Sequence, residues 1–218
     1  MKFLLTSDGL TNDSIRQALL DLVGKPMNET TVVFVPTAAT RVADDKSWLV
    51  ENYNDFLRLG LKSFDIVDIA AVPKENWQKR FEVADIICFG GGDEQYLARV
   101  MRESGVAEAL TGLLETRVYV GISAGSMVVG KLLAKELTIK LWPEESFAGK
   151  EDGFGLLNLS ILPHLNSDYF AHLRVPLIQS LNEQFPQSIY ALDDQSALKV
   201  IDGRIEVITE GEFLKLEK

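Results

Sequence analysis

The chain has 218 residues, with one cysteine, two histidines, 46% hydrophobic residues and a formal net charge of −10. That length is enough for one large domain to bury a core without disulfide or structural metal, and one thiol with two imidazoles is too few soft ligands for an ordinary zinc site. With 32 acidic against 22 basic side chains, the balance argues against nucleic acid or an anionic membrane as partner.

The N-terminal run Met1 to Thr6 is apolar but short and carries one lysine, unlike the long hydrophobic region of a signal peptide. No stretch approaches the ~20 apolar residues of a membrane span. The expectation is a cytoplasmic protein that folds as a single domain over residues 1–218 and needs no cofactor or metal.

Along the chain, short β-branched runs alternate with segments of helical period. Leu4-Leu5, Val32 to Val35, Ile66 to Ile69, Ile86 to Phe89 and Val118 to Val120 predict strands buried on both faces, as in a parallel sheet. Between them, Ile15, Leu19, Leu22 and Val23 make an apolar stripe that ends at Gly24. A second, of Trp48, Leu49, Phe56 and Leu59, ends at Gly60, and a third, of Tyr96, Leu97, Val100 and Met101, ends at Gly105. This is the pattern of an α/β fold, an open and mostly parallel sheet with helices on both faces. Further on, Leu159 to Leu162 predicts a strand, Tyr169 to Leu181 a helix marked by Pro176, and Ile189 to Leu192 another strand. Residues 197–201 and 204–208 flank Asp202-Gly203, a dipeptide suited to a two-residue turn, so the C-terminal part reads as an antiparallel hairpin. Trp77, Trp142 and Phe147 read as exposed apolar side chains that could serve as an interface or a lid over the site, although scattered aromatics are as often core.

Gly121-Ile122-Ser123-Ala124-Gly125 carries the clearest chemical signal. It matches G-x-S-x-G between a buried strand and a helix-compatible run, the setting in which small neighbours let a tight turn project a serine hydroxyl. The free amides of the following helix, starting with Ala124, can receive an oxyanion. Gly90-Gly91-Gly92 closes the preceding strand and offers Gly91 or Gly92 as a second donor, while lacking the spacing of a dinucleotide loop or a P-loop. A serine needs a base, and only His164, past a strand, and His172, inside the expected helix, are present. Position favours His164. An acid to orient it comes from Asp193 or Asp194 at a strand end, with Glu136, Glu144, Glu145, Glu151 and Asp152 as earlier alternatives.

With these residues on the page, the sequence resembles the peptidase E family of serine peptidases, the aspartyl dipeptidases, whose fold is similar to that of class I glutamine amidotransferases. The resemblance rests on the Gly90-Gly91-Gly92 turn, Gly121 to Ser126, Pro163-His164 and the acid in Ala191 to Asp194. It implies Ser123 as nucleophile, His164 as base and amides of the glycine turn and Ala124 as oxyanion donors. The acid is Asp194 where known members carry glutamate, and Glu136 stands near the position where some are assigned an aspartate. The order Ser, His, Asp also differs from the Ser, Asp, His order of ordinary lipases. Cys88 reads as core, away from the elbow where amidotransferases carry their cysteine.

The family implies dipeptides or short peptides with N-terminal aspartate as substrate. Recognising that side chain calls for a cation, for which Arg174 is the candidate, with Arg41 and Lys140 behind it. Other acidic amides, such as β-aspartyl or cyanophycin-like peptides, and a non-catalytic binding protein of the same fold are the alternatives. The chain is expected to act as a monomer or homodimer.

Overall fold

The structure, a computed structural model, describes residues 1–142 and 151–218. Its first half alternates strand and helix: β1 (Lys2–Thr6), α1 (Asp13–Val23), β2 (Thr31–Val35), α2 (Thr37–Thr40), α3 (Ser47–Arg58), β3 (Ser63–Ile66), α4 (Lys74–Val83) and β4 (Ile86–Phe89). There follow α5 (Glu94–Glu103), α6 (Val106–Leu113), β5 (Val118–Ile122), α7 (Ala124–Met127), α8 (Lys135–Leu141) and β6 (Ser160–Leu162). The chain closes with α9 (Val175–Ser180), β7 (Ile189–Leu192), β8 (Ser196–Ile201), β9 (Arg204–Thr209) and β10 (Phe213–Leu216).

Among the described residues, seven strands form one sheet in the order β3-β2-β4-β5-β1-β8-β9. The first five are parallel, and β8 and β9 run antiparallel beyond β1. The unbroken apolar runs follow from burial on both faces. Phe3, Leu5, Val33, Val35, Ile87 and Phe89 face α4, α5 and α6 through Trp77, Phe81, Leu97 and Val106. Their neighbours Leu4, Val32, Phe34, Ile86 and Cys88 face α1 and α3 through Ile15, Leu19 and Phe56. The fold is therefore α/β, as the alternation predicts. A second, three-stranded sheet in the order β10-β7-β6 pairs β6 and β7 in parallel, and packs Leu162, Ile189 and Ala191 against Leu141, Trp142 and Ile178.

Four expectations are corrected. The strand expected at Ile66 to Ile69 lies earlier, at Ser63–Ile66, on the sheet edge where its side chains are largely exposed; Val67 and Ile69 are buried beyond its end, and Val67 donates back to Phe34 O at 2.9 Å. The helix expected at Tyr169 to Leu181 shrinks to Val175–Ser180, with Pro in its first turn, so His172 lies in a turn. Trp77 is no surface aromatic: it is fully buried beside Phe81 at a ring separation of 5.2 Å. Trp142 is also buried, while Phe147 lies outside the described residues. The hairpin forms as expected, with Asp202 at φ +49° and Gly203 at φ +83° in its turn. No helix among the described residues is long and apolar enough to cross a membrane.

Candidate active site

Parallel strands bring their C-terminal ends to one edge of the sheet, which is where the chain places its glycines and its Ser123. Ser123 follows β5 directly and sits at φ +48°, ψ −110°, a strained conformation for a non-glycine residue. Neighbours from three elements hold the turn. Ser123 N donates to Thr6 O at 3.1 Å, Ser126 Oγ donates to the same oxygen at 2.7 Å, and Tyr119 OH donates to Gly125 O at 2.7 Å. The glycine turn after β4 lies against the serine: a Cβ on Gly91 would come 3.3 Å from that of Ser123. Gly92 adopts φ +129°, where an added Cβ would run into the carbonyl of Ala38. Among the described residues, the amides of Gly91, Gly92 and Ala124 donate to no other main-chain group. They are therefore available to an anion beside the hydroxyl.

The second sheet supplies the other two side chains. Because β6 and β7 are parallel neighbours in register Leu162 to Ala191, the loops leaving them emerge side by side. His164 projects from one and Asp194 from the other. His164 Nε2 lies 3.0 Å from Ser123 Oγ, and its Nδ1 lies 2.7 Å from Asp194 Oδ1. A carboxylate at Nδ1 fixes the proton on that nitrogen and leaves Nε2 to accept from the hydroxyl. The imidazole stacks on Phe170 at 4.8 Å. Burial alone would raise the Asp194 carboxyl, but hydrogen bonds from His164, Ser7 and Ser167 and the nearby imidazole hold it below the ordinary carboxylate range.

Of the neighbouring aspartates, the chain turns Asp193 away. Its carboxylate accepts from Gln195 N at 3.0 Å and Ser196 Oγ at 2.6 Å, closing the turn into β8. Glu136 lies on α8, Glu151 pairs with Arg102 at 2.9 Å, and Glu144 and Glu145 lie outside the described residues.

Ser7, which sequence reasoning passed over, is fully buried at the end of β1. Its hydroxyl donates to Asp194 Oδ1 at 2.8 Å and accepts from the His164 amide at 2.7 Å, so one side chain ties the His164 loop to Asp194. That amide belongs to a residue in the left-handed region, φ +67°, which the bond helps to hold. Thr11 Oγ1 and Asn12 Nδ2 donate to the carbonyls of Asp194 and Gln195 at 2.7 and 2.8 Å, so the loop after β1 is a platform under Asp194. The only hint in the sequence is a polar Thr-Ser-Asp-Gly run after a buried strand.

Next to Ser7, burial pushes the Asp8 carboxyl up to about 6, against the pull of His164 and with Asp194 and Asp55 adding to the rise. The folded chain thus holds this proton to higher pH than the unfolded chain, and the stability it contributes falls as pH rises through about 4 to 6. Replacement by asparagine removes this titration alone. The difference in Tm, Asp8→Asn minus the natural protein, is expected to grow between pH 4 and pH 7 and level off above; thermal melts across that range check it.

A cavity opens over this line, with Gly92, Glu94, Ser123, Met127, Trp142, Pro163, His164 and Phe170 around it. Arg174 is not among them. Its Nη1 donates to the carbonyls of Ser167, Phe170 and Leu173, at 3.0, 3.0 and 3.2 Å, and holds the turn that replaces the expected helix. Lys140 donates to Gln184 Oε1 at 2.8 Å, and Arg41 is exposed past the end of α2.

A strained serine at a strand-to-helix turn, with a histidine and an aspartate in hydrogen-bonded line and free amides beside it, is the architecture of a serine hydrolase. Residues 3–208 match the sequence profile of peptidase family S51, and the chain belongs to that family. It is thus a peptidase. An uncharacterized peptidase of Listeria monocytogenes is 26% identical over 182 residues, covering 83% of this chain and 85% of that one. Two solved structures share the fold. One, a Listeria monocytogenes EGD-e protein provisionally described as a peptidase E, has a TM-score of 0.78 at 20% identity, covering 96% of this chain and 98% of the other. A peptidase from an acI-B1 Actinobacterium has a TM-score of 0.72 at 19% identity, covering 99% and 90%.

Proposed function

We propose that this chain hydrolyses dipeptides or short peptides through an acyl-enzyme on Ser123. The observation that carries the reading is the contact of Ser123 Oγ with His164 Nε2 at 3.0 Å, continued from Nδ1 to Asp194 at 2.7 Å. In the acylation step Ser123 Oγ attacks the peptide carbonyl carbon while its proton passes to His164 Nε2. The oxyanion forms beside the amides of Ala124 and Gly91 or Gly92. The carbon–nitrogen bond then breaks, and the ring returns its proton to the departing amine. Water, deprotonated by the same nitrogen, attacks the ester, releases the acid and restores the Ser123 hydroxyl. Asp194 keeps the ring in its tautomer and balances the charge it gains.

An N-terminal aspartate, the substrate that the peptidase E resemblance implies, would require a cation to receive its carboxylate. Arg174, the cation the sequence offers for it, donates to three main-chain carbonyls, and that engagement weighs against the role. The test of the general reading is independent of substrate. A fluorophosphonate probe should label Ser123 in the natural protein and leave Ser123→Ala unlabelled, and that variant should lose peptide hydrolysis. Retained turnover in Ser123→Ala overturns it.

A further inference from the structure

The cavity over Ser123 and His164 measures about 20 Å³, which is room for one water. A peptide needs more. Attack brings the carbonyl carbon to about 3–3.5 Å from Ser123 Oγ, with the α-carbon about 1.5 Å behind it, so the acyl residue must stand where a wall of this cavity now stands. The lining residues differ in how firmly they are held. Gly92 lies tight against Ala38, Glu94 is buried at the start of α5, and Met127, Trp142 and Pro163 are buried as well. Phe170 is only half-buried, and it is carried on an exposed turn in which Asp168, Tyr169, Ala171 and His172 all face solvent.

The turn has fixed ends. Leu165 and Leu173 are buried in the core of the second sheet, and Asn166 N donates to Leu173 O at 2.9 Å across the base of the excursion. Between those anchors the tip is tied by few bonds, chiefly Ser167 N to His164 O at 3.1 Å and the Arg174 guanidinium to the carbonyls of Ser167 and Phe170. From that tip the Phe170 ring lies over the imidazole of His164, with centroids 4.8 Å apart and planes inclined by 27°. Resting on the peptidase reading above, we infer that Phe170 is the residue that decides what reaches Ser123. With the turn down its ring fills the acyl side of the site; a substrate binds when the tip of residues 166–173 lifts and the acyl residue takes the place of the ring beside His164. Arg174 is then the latch, since lifting the tip gives up its contacts with Ser167 and Phe170 while the anchor at Leu173 stays.

The test uses the full chain and two matched reagents, methanesulfonyl fluoride and phenylmethanesulfonyl fluoride. Each forms a sulfonate ester on Ser123 Oγ, loses fluoride and leaves the hydroxyl proton to His164; they differ in carrying a methyl or a benzyl group. The quantity read is the ratio of their second-order rates, benzyl over methyl, followed as the mass added to the intact protein. A lid open in about one molecule in ten slows a reagent that needs it open by about tenfold, and removing the lid restores the loss. Phe170→Ala should therefore raise the ratio by about tenfold, and Phe170→Trp should lower it below that of the natural protein. The ratio is internal to each preparation, so partial unfolding or a shifted His164 changes both rates and cancels. A ratio unchanged in both variants, or one that falls in Phe170→Ala, overturns the inference while a modified Ser123 leaves the peptidase reading standing. No modification of Ser123 by either reagent, together with no cleavage of any peptide, overturns both.

Discussion

Replacement of Asp194 by asparagine is expected to lower kcat/KM for the best peptide by about 10⁴-fold, with little change in KM or in Tm. The amide has nearly the shape of the carboxylate, so the packing of the loop beneath it survives. What changes is the side facing His164 Nδ1, 2.7 Å away. With Ser7 Oγ donating to the same Oδ1, the aspartate is a pure acceptor for both groups. An asparagine can turn its NH₂ toward the ring, which pushes the imidazole into the tautomer with the proton on Nε2, where it cannot accept from Ser123; the comparable exchange in a serine protease triad costs about that factor. Ser7→Ala should cost less, on the order of tenfold in kcat, since it loosens the acid and the His164 backbone but leaves the acid in place. Steady-state kinetics on both variants decide the point. An Asp194→Asn enzyme within tenfold of the natural one would remove Asp194 from the mechanism.

How much of this was legible in the sequence differs from residue to residue. The elbow could be read because its glycines are local: they sit within two positions of Ser123 and report the turn themselves. His164 emerged from scarcity, since the chain has only two histidines. Asp194 could be narrowed only to a pair, because choosing between neighbours at a strand end requires knowing where the alternation of the strand stops. Ser7 could not be assigned a role from the polar run it sits in. Its two partners are 157 and 187 residues away in the chain, and nothing within a window around residue 7 reports them. The misplaced helix has a similar origin. Tyr169, Phe170 and Leu173 have helical spacing, but the Arg174 guanidinium donates to the carbonyls of Ser167, Phe170 and Leu173, and Leu173 N reaches back three residues to Phe170 O, so the segment closes as a turn. Trp77 looked exposed because α4 is otherwise mostly charged, a composition that hides the two aromatics it buries.

The glycines of the elbow carry the largest stability effect. Gly125→Ala is expected to destabilise the fold by about 3 kcal/mol or more, to the point of poor soluble yield. A Cβ at this position would run into the carbonyl oxygen of Phe89 and lie 2.7 Å from its carbon, and these are main-chain atoms at the end of a fully buried central strand. Gly121 has the same difficulty from the other side, since its Cβ would sit 2.7 Å from the carbonyl of Gly125 and from Ser126 Cα. Neither clash can be relieved by turning a side chain, so the turn must open or the helix must lift from β4, and either movement carries Ser123 away from Gly91 and His164. Overpacking of this kind costs about 1–3 kcal/mol where side chains can yield and more where they cannot. For a chain of this size that corresponds to a drop in Tm of about 6–12 °C. Gly112→Ala is the matched control: it lies in α6 with nothing within 4 Å of the added Cβ, and helix propensity should make it neutral or stabilising by up to about 1 kcal/mol. Thermal melts of the two variants separate the clash from any general sensitivity to losing a glycine, and equal Tm values would show that the elbow tolerates a Cβ that its geometry forbids.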